Sequence, residues 1–187
     1  MQVEKTKLDG VWLITPMRFG DARGFFSESW NKRALADAGL DIDWVQDNHS
    51  MSVHAGTVRG LHFQAPRYAQ DKLVRCGRGA LFDVAVDIRK DSPTYGAWVG
   101  YELSADNGRQ LLIPAGFLHG FATLVPDTEI IYKCSDYYAP ECDGAVRFNS
   151  LDIDWHLGDL EPVLSQKDTT AQAFADFDSP FVWEGEA

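Results

Sequence analysis

Residues 81–88 have the sequence Leu81-Phe82-Asp83-Val84-Ala85-Val86-Asp87-Ile88, in which two kinds of position alternate. Every even position carries a large apolar side chain, whereas the odd positions are mixed. This period of two is typical of a β-strand, because successive side chains of a strand point to opposite faces of the sheet. The stretch therefore predicts a strand whose two faces meet different surroundings.

Similar short runs recur along the chain, and clusters of turn-forming residues separate them. The runs lie at residues 11–15, 58–64, 73–75, 97–103, 110–113, 121–124 and 129–135. The turn-forming residues gather at 75–79, 91–93, 105–108 and 125–127. Many short strands at close spacing favour an antiparallel sandwich or barrel. We therefore predict a mainly β protein, a β-barrel or jelly roll with a few short flanking helices.

Helical patterns are few. Residues 31–38 predict one helix, with Asn31 as its N-cap and Gly39 as its end. A second helix is predicted to begin at Ser165, where Asp168 follows at a spacing that resembles a capping box, and to run through residues 171–177. We find no interdomain linker, so residues 1–187 are expected to form a single domain.

The composition argues against several classes of partner. Acidic residues outnumber basic ones, 28 to 17, and give a formal net charge of −11. Such a surface repels nucleic acid and anionic membranes, although a few local Arg and Lys side chains can still bind a small phosphorylated ligand. The three cysteines show no disulfide framework, and residues 1–5 do not resemble a signal peptide. We therefore expect reduced thiols, a cytoplasmic location and no membrane span.

Two residues close in sequence suggest chemistry on a carbonyl compound. His62 lies in Arg59-Gly60-Leu61-His62-Phe63-Gln64, and Lys72 follows in Gln70-Asp71-Lys72-Leu73-Val74-Arg75. A neutral imidazole can remove a proton beside a carbonyl, and an ammonium can stabilise the negative charge that then develops on the oxygen. A lone histidine in a strand is more often structural, so this interpretation depends on the other motifs.

The spacing of Gly108, Pro114, Gly116 and His119 resembles the second sequence box of the cupin superfamily, in which the histidine usually binds a metal. The first cupin box normally has His-x-His followed by a glutamate, but Gln64 stands here at the second histidine position and no carboxylate follows. Zinc, iron and manganese sites need about three or four imidazole, thiolate or carboxylate donors. We therefore expect no metal and no cofactor, and a cupin-like barrel whose histidines are free to act as bases.

Several motifs together closely resemble the dTDP-4-dehydrorhamnose 3,5-epimerase family over residues 9–168. They are Arg59–Gln64, Gln70–Arg75, Phe82–Arg89, Ile113–Phe121, Tyr132–Tyr138, Phe19–Glu28 and Val45–Ser50. The resemblance implies a cofactor-free homodimer that inverts C3 and C5 of dTDP-4-dehydro-6-deoxy-D-glucose to give dTDP-4-dehydro-L-rhamnose. Both carbons flank the C4 ketone, so their protons are acidic.

The resemblance also assigns roles at the matching positions. It implies that His62 is the base and that Tyr132 is the acid on the opposite face of the sugar. Lys72 then stabilises the enolate oxygen and Asp168 orients His62, while a second dyad supports the site. The dyad is Asp83 with His119, and the substrate contacts are Arg23, Phe26, Glu28, Gln46, Asn48, Arg59 and Tyr138.

Simpler interpretations of some residues stay open. Asp83 could be a solvated strand carboxylate, and Asp168 could be the N3 residue of a helix capped by Ser165. Tyr137 and Tyr138 could serve packing. Strict alternation would point Arg59 away from His62 unless a β-bulge at Gly60 changes its direction.

Other functions also stay open at this stage. They are an epimerase that inverts one carbon only, a metal-dependent cupin oxygenase or isomerase, and a non-catalytic sugar-binding barrel.

Overall fold

The computed structural model describes residues 1–185, which form a mainly β jelly-roll barrel, as predicted. Within these residues the strands are β1 Gln2–Lys5, β2 Trp12–Thr15, β3 Arg18–Asp21, β4 Gly24–Ser27, β5 Gln46–Ser52, β6 Val58–Gln64, β7 Lys72–Arg78, β8 Ala80–Asp87, β9 Trp98–Ser104, β10 Gln110–Ile113, β11 Phe117–Thr123, β12 Thr128–Cys134 and β13 Asp143–Ala145. The helices are α1 Lys32–Asp37 and α2 Gln166–Thr170, with single 3₁₀ turns at Pro140–Cys142 and Phe174–Asp176.

Two antiparallel sheets form the barrel. The six-stranded sheet has the order β1-β2-β10-β7-β12-β5, and the five-stranded sheet has the order β13-β6-β11-β8-β9. Side chains of both sheets share one buried cluster, which includes Val74 and Leu111 from the first sheet and Leu81 and Phe121 from the second. A separate hairpin of β3 and β4 lies outside both sheets.

The alternation in residues 81–88 has a clear structural cause. Phe82, Val84 and Val86 lie on the outer face of the five-stranded sheet, in a buried cluster with C-terminal residues such as Trp155. The odd positions face the barrel interior, where apolar Leu81 packs and Asp83 is fully buried. Both faces of β8 are therefore covered, and only the interior face admits polar groups.

The first predicted helix is confirmed and the second is partly wrong. The Asn31 side chain accepts a hydrogen bond from the Ala34 N–H at 3.1 Å and caps α1. Ser165 likewise caps α2, but this helix ends at Thr170 instead of continuing through residues 171–177. It ends there because Gln172 pairs with Val146, and its carbonyl accepts the Arg147 N–H at 2.8 Å.

Each predicted run of alternating residues overlaps a strand, but the predicted turn at 75–79 is wrong. Strand β7 continues to Arg78, and Gly79 alone connects it to β8. Gly79 has a φ of +77°, which only glycine adopts readily. The polar strand β5 has no apolar alternation, since one of its faces lines a polar cavity, and the sequence analysis did not identify it as a strand.

The structure joins none of the three cysteines to another in a disulfide. Cys76, Cys134 and Cys142 are free thiols. Between residues 1 and 185, no helix combines the length and the apolar character that crossing a membrane requires.

Candidate active site

A cavity of about 480 Å³ opens between the two sheets. A neighbouring cavity of about 250 Å³ adjoins it. His62, Lys72 and Tyr132 line both of them. His62 comes from β6 of the five-stranded sheet, whereas Lys72 and Tyr132 come from β7 and β12 of the six-stranded sheet. The structure thus places the imidazole, the ammonium and the phenol on the walls of the same two cavities.

His62 is held by a buried carboxylate. Its Nε2 lies 2.6 Å from Oδ1 of Asp168, and the Ser165 hydroxyl donates to Oδ2 of the same carboxylate at 2.6 Å. Burial opposes ionisation of Asp168, but the hydrogen bonds from His62, Ser165 and the Gly60 N–H outweigh it, so the Asp168 pKa is below its ordinary value. An ionised Asp168 only accepts hydrogen bonds, so Nε2 of His62 carries the proton and Nδ1 is left free as a base.

Asp168 makes both of the contacts that the sequence left open, one to the helix cap and one to His62. The Asp168 N–H donates to the Ser165 hydroxyl at 3.2 Å, which is the expected N-cap contact. The carboxylate of the same residue binds His62. The helix cap places the carboxylate that orients the imidazole.

A second histidine–aspartate pair lies deeper in the barrel. Nε2 of His119 lies 2.8 Å from Oδ1 of Asp83, and Asp83 is fully buried, so it is not a solvated strand carboxylate. Burial raises the Asp83 pKa, although His119 and Lys72 oppose this effect. Oδ2 of Asp83 has no hydrogen-bond partner within residues 1–185. His119 lines the smaller cavity directly beside His62, its partner across the sheet.

Lys72 and Tyr132 have shifted pKa values for the same physical reason. Burial lowers the pKa of the Lys72 ammonium, and the nearby Cys134, Asp143 and Asp83 partly offset this. Burial also raises the pKa of the Tyr132 phenol, so the phenol keeps its proton at neutral pH. Tyr132 can therefore donate a proton into the cavity.

Arg59 reaches the same face of the sheet as His62 because β6 contains a bulge at Gly60, the alternative that the sequence left open. His62 pairs with His119 and Arg59 pairs with Phe121, so β6 has one residue more than β11 between these pairs. Gly60 has a φ of +130°, and a Cβ added there would lie 2.6 Å from the Cα of Gly120. Only glycine fits this position, and Arg59 consequently lines the smaller cavity.

Of the predicted substrate contacts, three more line the larger cavity, namely Gln46, Asn48 and Tyr138. The Gln46 amide donates to the Asn48 side chain at 3.1 Å. Tyr137 and Tyr138 are 64% and 58% exposed, so neither is a core packing residue.

The remaining predicted contacts lie elsewhere. Arg23, Phe26 and Glu28 belong to the hairpin of β3 and β4 and the segment that follows it, and none of them lines either cavity. Arg23 forms a 2.5 Å ion pair with Asp21, and Phe26 is 70% exposed. The structure does not bring these residues to His62 of the same chain.

The sequence analysis missed other residues that line the larger cavity, which are Phe63, Gln64, Gln70, Asp143 and Lys167. Lys167 and Asp143 form a 2.5 Å ion pair. Lys167 precedes Asp168 in a predicted helix, a neighbourhood that could have indicated it. Asp143 begins the three-residue strand β13, which is too short to show a periodic pattern.

No group of three or more His, Cys, Asp or Glu side chains with the arrangement of a metal site occurs in the described part of the chain. Gln64, at the second histidine position of the cupin box, uses its amide to bind backbone groups.

Comparisons with known proteins show which family this chain resembles. The family model described as dTDP-4-dehydrorhamnose 3,5-epimerase matches residues 5–176. The enzyme of that name from Pseudomonas aeruginosa is 51% identical over 181 residues, covering 95% of this chain and 98% of the relative.

Two solved structures are similar over almost the whole chain. The dTDP-4-dehydrorhamnose 3,5-epimerase from Bacillus anthracis, solved with TDP and PPi bound, has a TM-score of 0.89 and 49% identity, covering 92% of this chain and 99% of its own. The dTDP-6-deoxy-D-glucose-3,5-epimerase from Legionella pneumophila, solved with dTDP-4-keto-L-rhamnose, has a TM-score of 0.92 and 42% identity, covering 97% and 98%. The resemblance in the motifs is confirmed, and this chain belongs to the dTDP-4-dehydrorhamnose 3,5-epimerase family.

Proposed function

We propose that this protein converts dTDP-4-dehydro-6-deoxy-D-glucose to dTDP-4-dehydro-L-rhamnose by inverting C3 and C5 without a cofactor. The observation that carries the proposal is that His62, Lys72 and Tyr132 line the same cavities. A base, a charge-stabilising ammonium and a proton donor are what inversion beside a ketone requires.

The first step is removal of a proton from C3 or C5. Nδ1 of His62 takes this proton, and the electron pair moves through the α-carbon to the C4 oxygen, which becomes an enolate. A positioned base contributes roughly 10² to 10⁴ in rate. Asp168 holds the imidazole in the required tautomer and stabilises the imidazolium that forms.

Lys72 supplies the electrostatic part of catalysis. The enolate oxygen carries a full negative charge, and a well-placed donor stabilises such a charge by about 3 kcal/mol in a site with little water. Burial lowers the Lys72 pKa, and the negative charge that develops on the enolate oxygen favours the protonated ammonium. His119 and Asp83 support the same region from the adjacent strands.

The second step delivers a proton to the opposite face of the ring. Tyr132 donates its phenolic proton to the carbon, the enolate collapses to the ketone, and the configuration is inverted. Solvent then reprotonates the phenolate and removes the proton from the imidazolium. Repetition at the second carbon completes the reaction, and each inverted carbon carries a hydrogen from solvent.

The diphosphate of the substrate needs cationic partners despite the net charge of −11. Arg59, Lys72 and Lys167 are cationic side chains that line the two cavities, and Asp143 pairs only with Lys167 among them. Gln46, Asn48 and Tyr138 complete a polar and aromatic wall that suits a nucleotide sugar. We propose that these residues bind the substrate.

We also propose that the protein acts as a cytoplasmic homodimer of single-domain chains. The hairpin of β3 and β4 exposes Phe19, Phe25 and Phe26 by 59%, 61% and 70%, an apolar surface that a partner would cover. Arg23, Phe26 and Glu28 lie away from the cavities of their own chain. A second copy would allow the hairpin of one subunit to complete the site of the other.

Isotope exchange tests the reaction. Incubation with the keto sugar in D₂O should introduce deuterium at both C3 and C5, as measured by NMR. Tyr132→Phe should impair inversion, because it removes the proposed proton donor. Label at one carbon only would reduce the activity to that of a single-position epimerase, and binding without any label would leave a sugar-binding protein. Activity that requires stoichiometric iron or manganese would favour a metal-dependent enzyme.

Subunit mixing tests the dimer. Co-expression of a His62→Ala chain with an Arg23→Ala/Phe26→Ala chain should restore roughly a quarter of the wild-type activity, because half of the dimers are mixed and each contains one intact site. No recovery above either parent would contradict a shared site.

A further inference from the structure

Three glutamine side chains bind the backbone of one short segment at the cavity. The Gln70 amide donates to the carbonyl of Asp136 at 2.8 Å. The Gln64 amide donates to the carbonyl of Tyr137 at 2.9 Å and accepts the Ala139 N–H at 2.9 Å. The side-chain oxygen of Gln46 accepts the Tyr138 N–H at 3.2 Å. We call these three glutamines the glutamine clamp.

Within residues 1–185, the segment that the clamp holds belongs to no helix and no strand. It follows the end of β12 at Cys134 and precedes the 3₁₀ turn at Pro140–Cys142. Here the amide side chains pair with the backbone groups of the segment and take the place of a neighbouring strand. A glutamine suits this task because one planar amide both donates and accepts.

Gln64 makes the largest number of backbone hydrogen bonds in the clamp. It is only 5% exposed, and its amide also donates to the carbonyl of Tyr68, so both ends of the side chain are occupied. An imidazole or a carboxylate at this position could not make the same set of bonds. The residue that occupies the cupin ligand position therefore anchors a loop.

Tyr138 connects the clamp to the larger cavity. Its side chain lines the larger cavity but is 58% exposed, and its hydroxyl makes only a long contact of 3.4 Å with Asp143. Because little packing holds the ring, the position of the ring depends on its backbone. Gln64 and Gln46 hold this backbone on both sides of the Tyr138 Cα.

We infer that Gln64 is a positioning residue that acts through Tyr138 and sets this aromatic wall for the nucleotide-sugar substrate. The inference rests on the proposed function, since it concerns the substrate of that site. Gln64 should affect the binding of substrate more than the chemical step. Asp168 holds His62, and Lys72 and Tyr132 belong to strands β7 and β12, so none of the three depends on the clamp.

A double-mutant cycle tests this inference. Gln64→Met keeps the side-chain length and removes the hydrogen bonds, and it should raise KM about tenfold while kcat changes less than about threefold. In a Tyr138→Ala background the same substitution should raise KM less than about twofold, because the ring that it positions is gone. Full additivity of the two KM effects would overturn the inference.

A matched control separates this effect from general loss of stability. Asn107 is an equivalent amide in the loop between β9 and β10, where it accepts the Ser104 and Arg109 N–H groups and donates to the Glu102 carbonyl at 2.9 Å. Asn107 lines neither cavity. Asn107→Leu should lower the melting temperature, and any change in KM should add fully to that of Tyr138→Ala. Coupling of Asn107 to Tyr138 as strong as that of Gln64 would overturn the inference.

A milder variant covers the case in which Gln64→Met does not fold. Gln70→Met removes one bond of the clamp, and it should raise KM about threefold, again only when Tyr138 is present. If Gln70→Met still raised KM in the Tyr138→Ala background, the proposal that the clamp acts through Tyr138 would be rejected. Absence of isotope exchange in the wild-type protein would instead reject the proposed function, so the two failures are distinguishable.

Discussion

The two histidine–aspartate pairs of the barrel have the same chemistry in different surroundings. In the first pair, the His62 side chain is 28% exposed and faces the cavities, while Asp168 accepts additional hydrogen bonds. In the second pair, the His119 side chain is 9% exposed, Asp83 is fully buried, and its Oδ2 has no hydrogen-bond partner among residues 1–185. The histidines lie opposite each other on β6 and β11.

This difference separates the behaviour of the two carboxylates. Hydrogen bonds outweigh burial at Asp168 and lower its pKa, whereas burial prevails at Asp83 and raises its pKa. Asp168 is therefore the ionised partner that His62 needs in its proposed role as the base. Asp83 is suited to support the site from within the barrel. The two carboxylates are the same residue type, so their different hydrogen bonding and burial account for the opposite pKa shifts.

The largest expected difference concerns the histidines themselves. His62→Ala should lower the rate of deuterium incorporation by about 10³ or more, within the range that a positioned base contributes. His119→Ala should lower it by only about tenfold, the effect of losing one hydrogen bond near a charged intermediate. Exchange rates measured by mass spectrometry in D₂O provide the comparison. Wild-type exchange in His62→Ala would show that the base is another residue.

The carboxylates should differ in the same direction. Asp168→Asn removes the charge that selects the His62 tautomer, so kcat should fall by about 10². Asp83→Asn preserves the shape of a group that burial already disfavours in its charged form, and kcat should fall by no more than about tenfold. Steady-state kinetics of both variants, with circular dichroism as a check of folding, decide the matter. Equal losses would mean that the pairs are equivalent.

The pH dependence of stability should have opposite signs for the two carboxylates. The lowered pKa of Asp168 stabilises the folded state above the unfolded pKa, and this contribution is lost as the pH falls through the folded value. The raised pKa of Asp83 gives a contribution that is complete below the unfolded pKa and is lost as the pH rises through the folded value.

Urea unfolding from about pH 2 to pH 8 covers both effects, because the Asp168 effect lies below the ordinary carboxyl pKa of about 3.9 and the Asp83 effect lies above it. Relative to wild type, Asp83→Asn should gain stability as the pH rises, and Asp168→Asn should lose it. Parallel pH profiles for the two variants would contradict the assigned directions.

The smallest expected effect concerns Ser165, which has no counterpart in the second pair. Ser165→Ala removes the hydroxyl that binds Oδ2 of Asp168 and caps α2. We expect kcat to fall by about threefold and the free energy of unfolding to fall by about 1 kcal/mol. Thr169→Ala is the control and should leave kcat unchanged, because the Thr169 hydroxyl lies in the same helix but donates to the Ser165 carbonyl and not to the Asp168 carboxylate. An equal loss in both variants would show that only helix stability matters.

Much of the barrel was predictable because its strands carry a local signal. The alternation in residues 81–88 and the capped helix at residues 32–37 depend only on neighbours in the chain, and both are confirmed. Strand β5 was missed because its side chains line a polar cavity and therefore lack an apolar face. The end of α2 was missed because a pairing of Gln172 with the distant Val146 stops the helix.

The residue types of the site were also recognisable, because the motifs around His62, Lys72, Tyr132 and His119 are local in sequence. Their arrangement was not, since strands far apart in the chain bring these side chains together. The bulge at Gly60, the ion pair of Asp143 with Lys167 and the burial of Asp83 all depend on such long-range pairing. Periodicity and composition thus specify strands and reactive groups, whereas distance, burial and hence pKa exist only once the sheets have packed together.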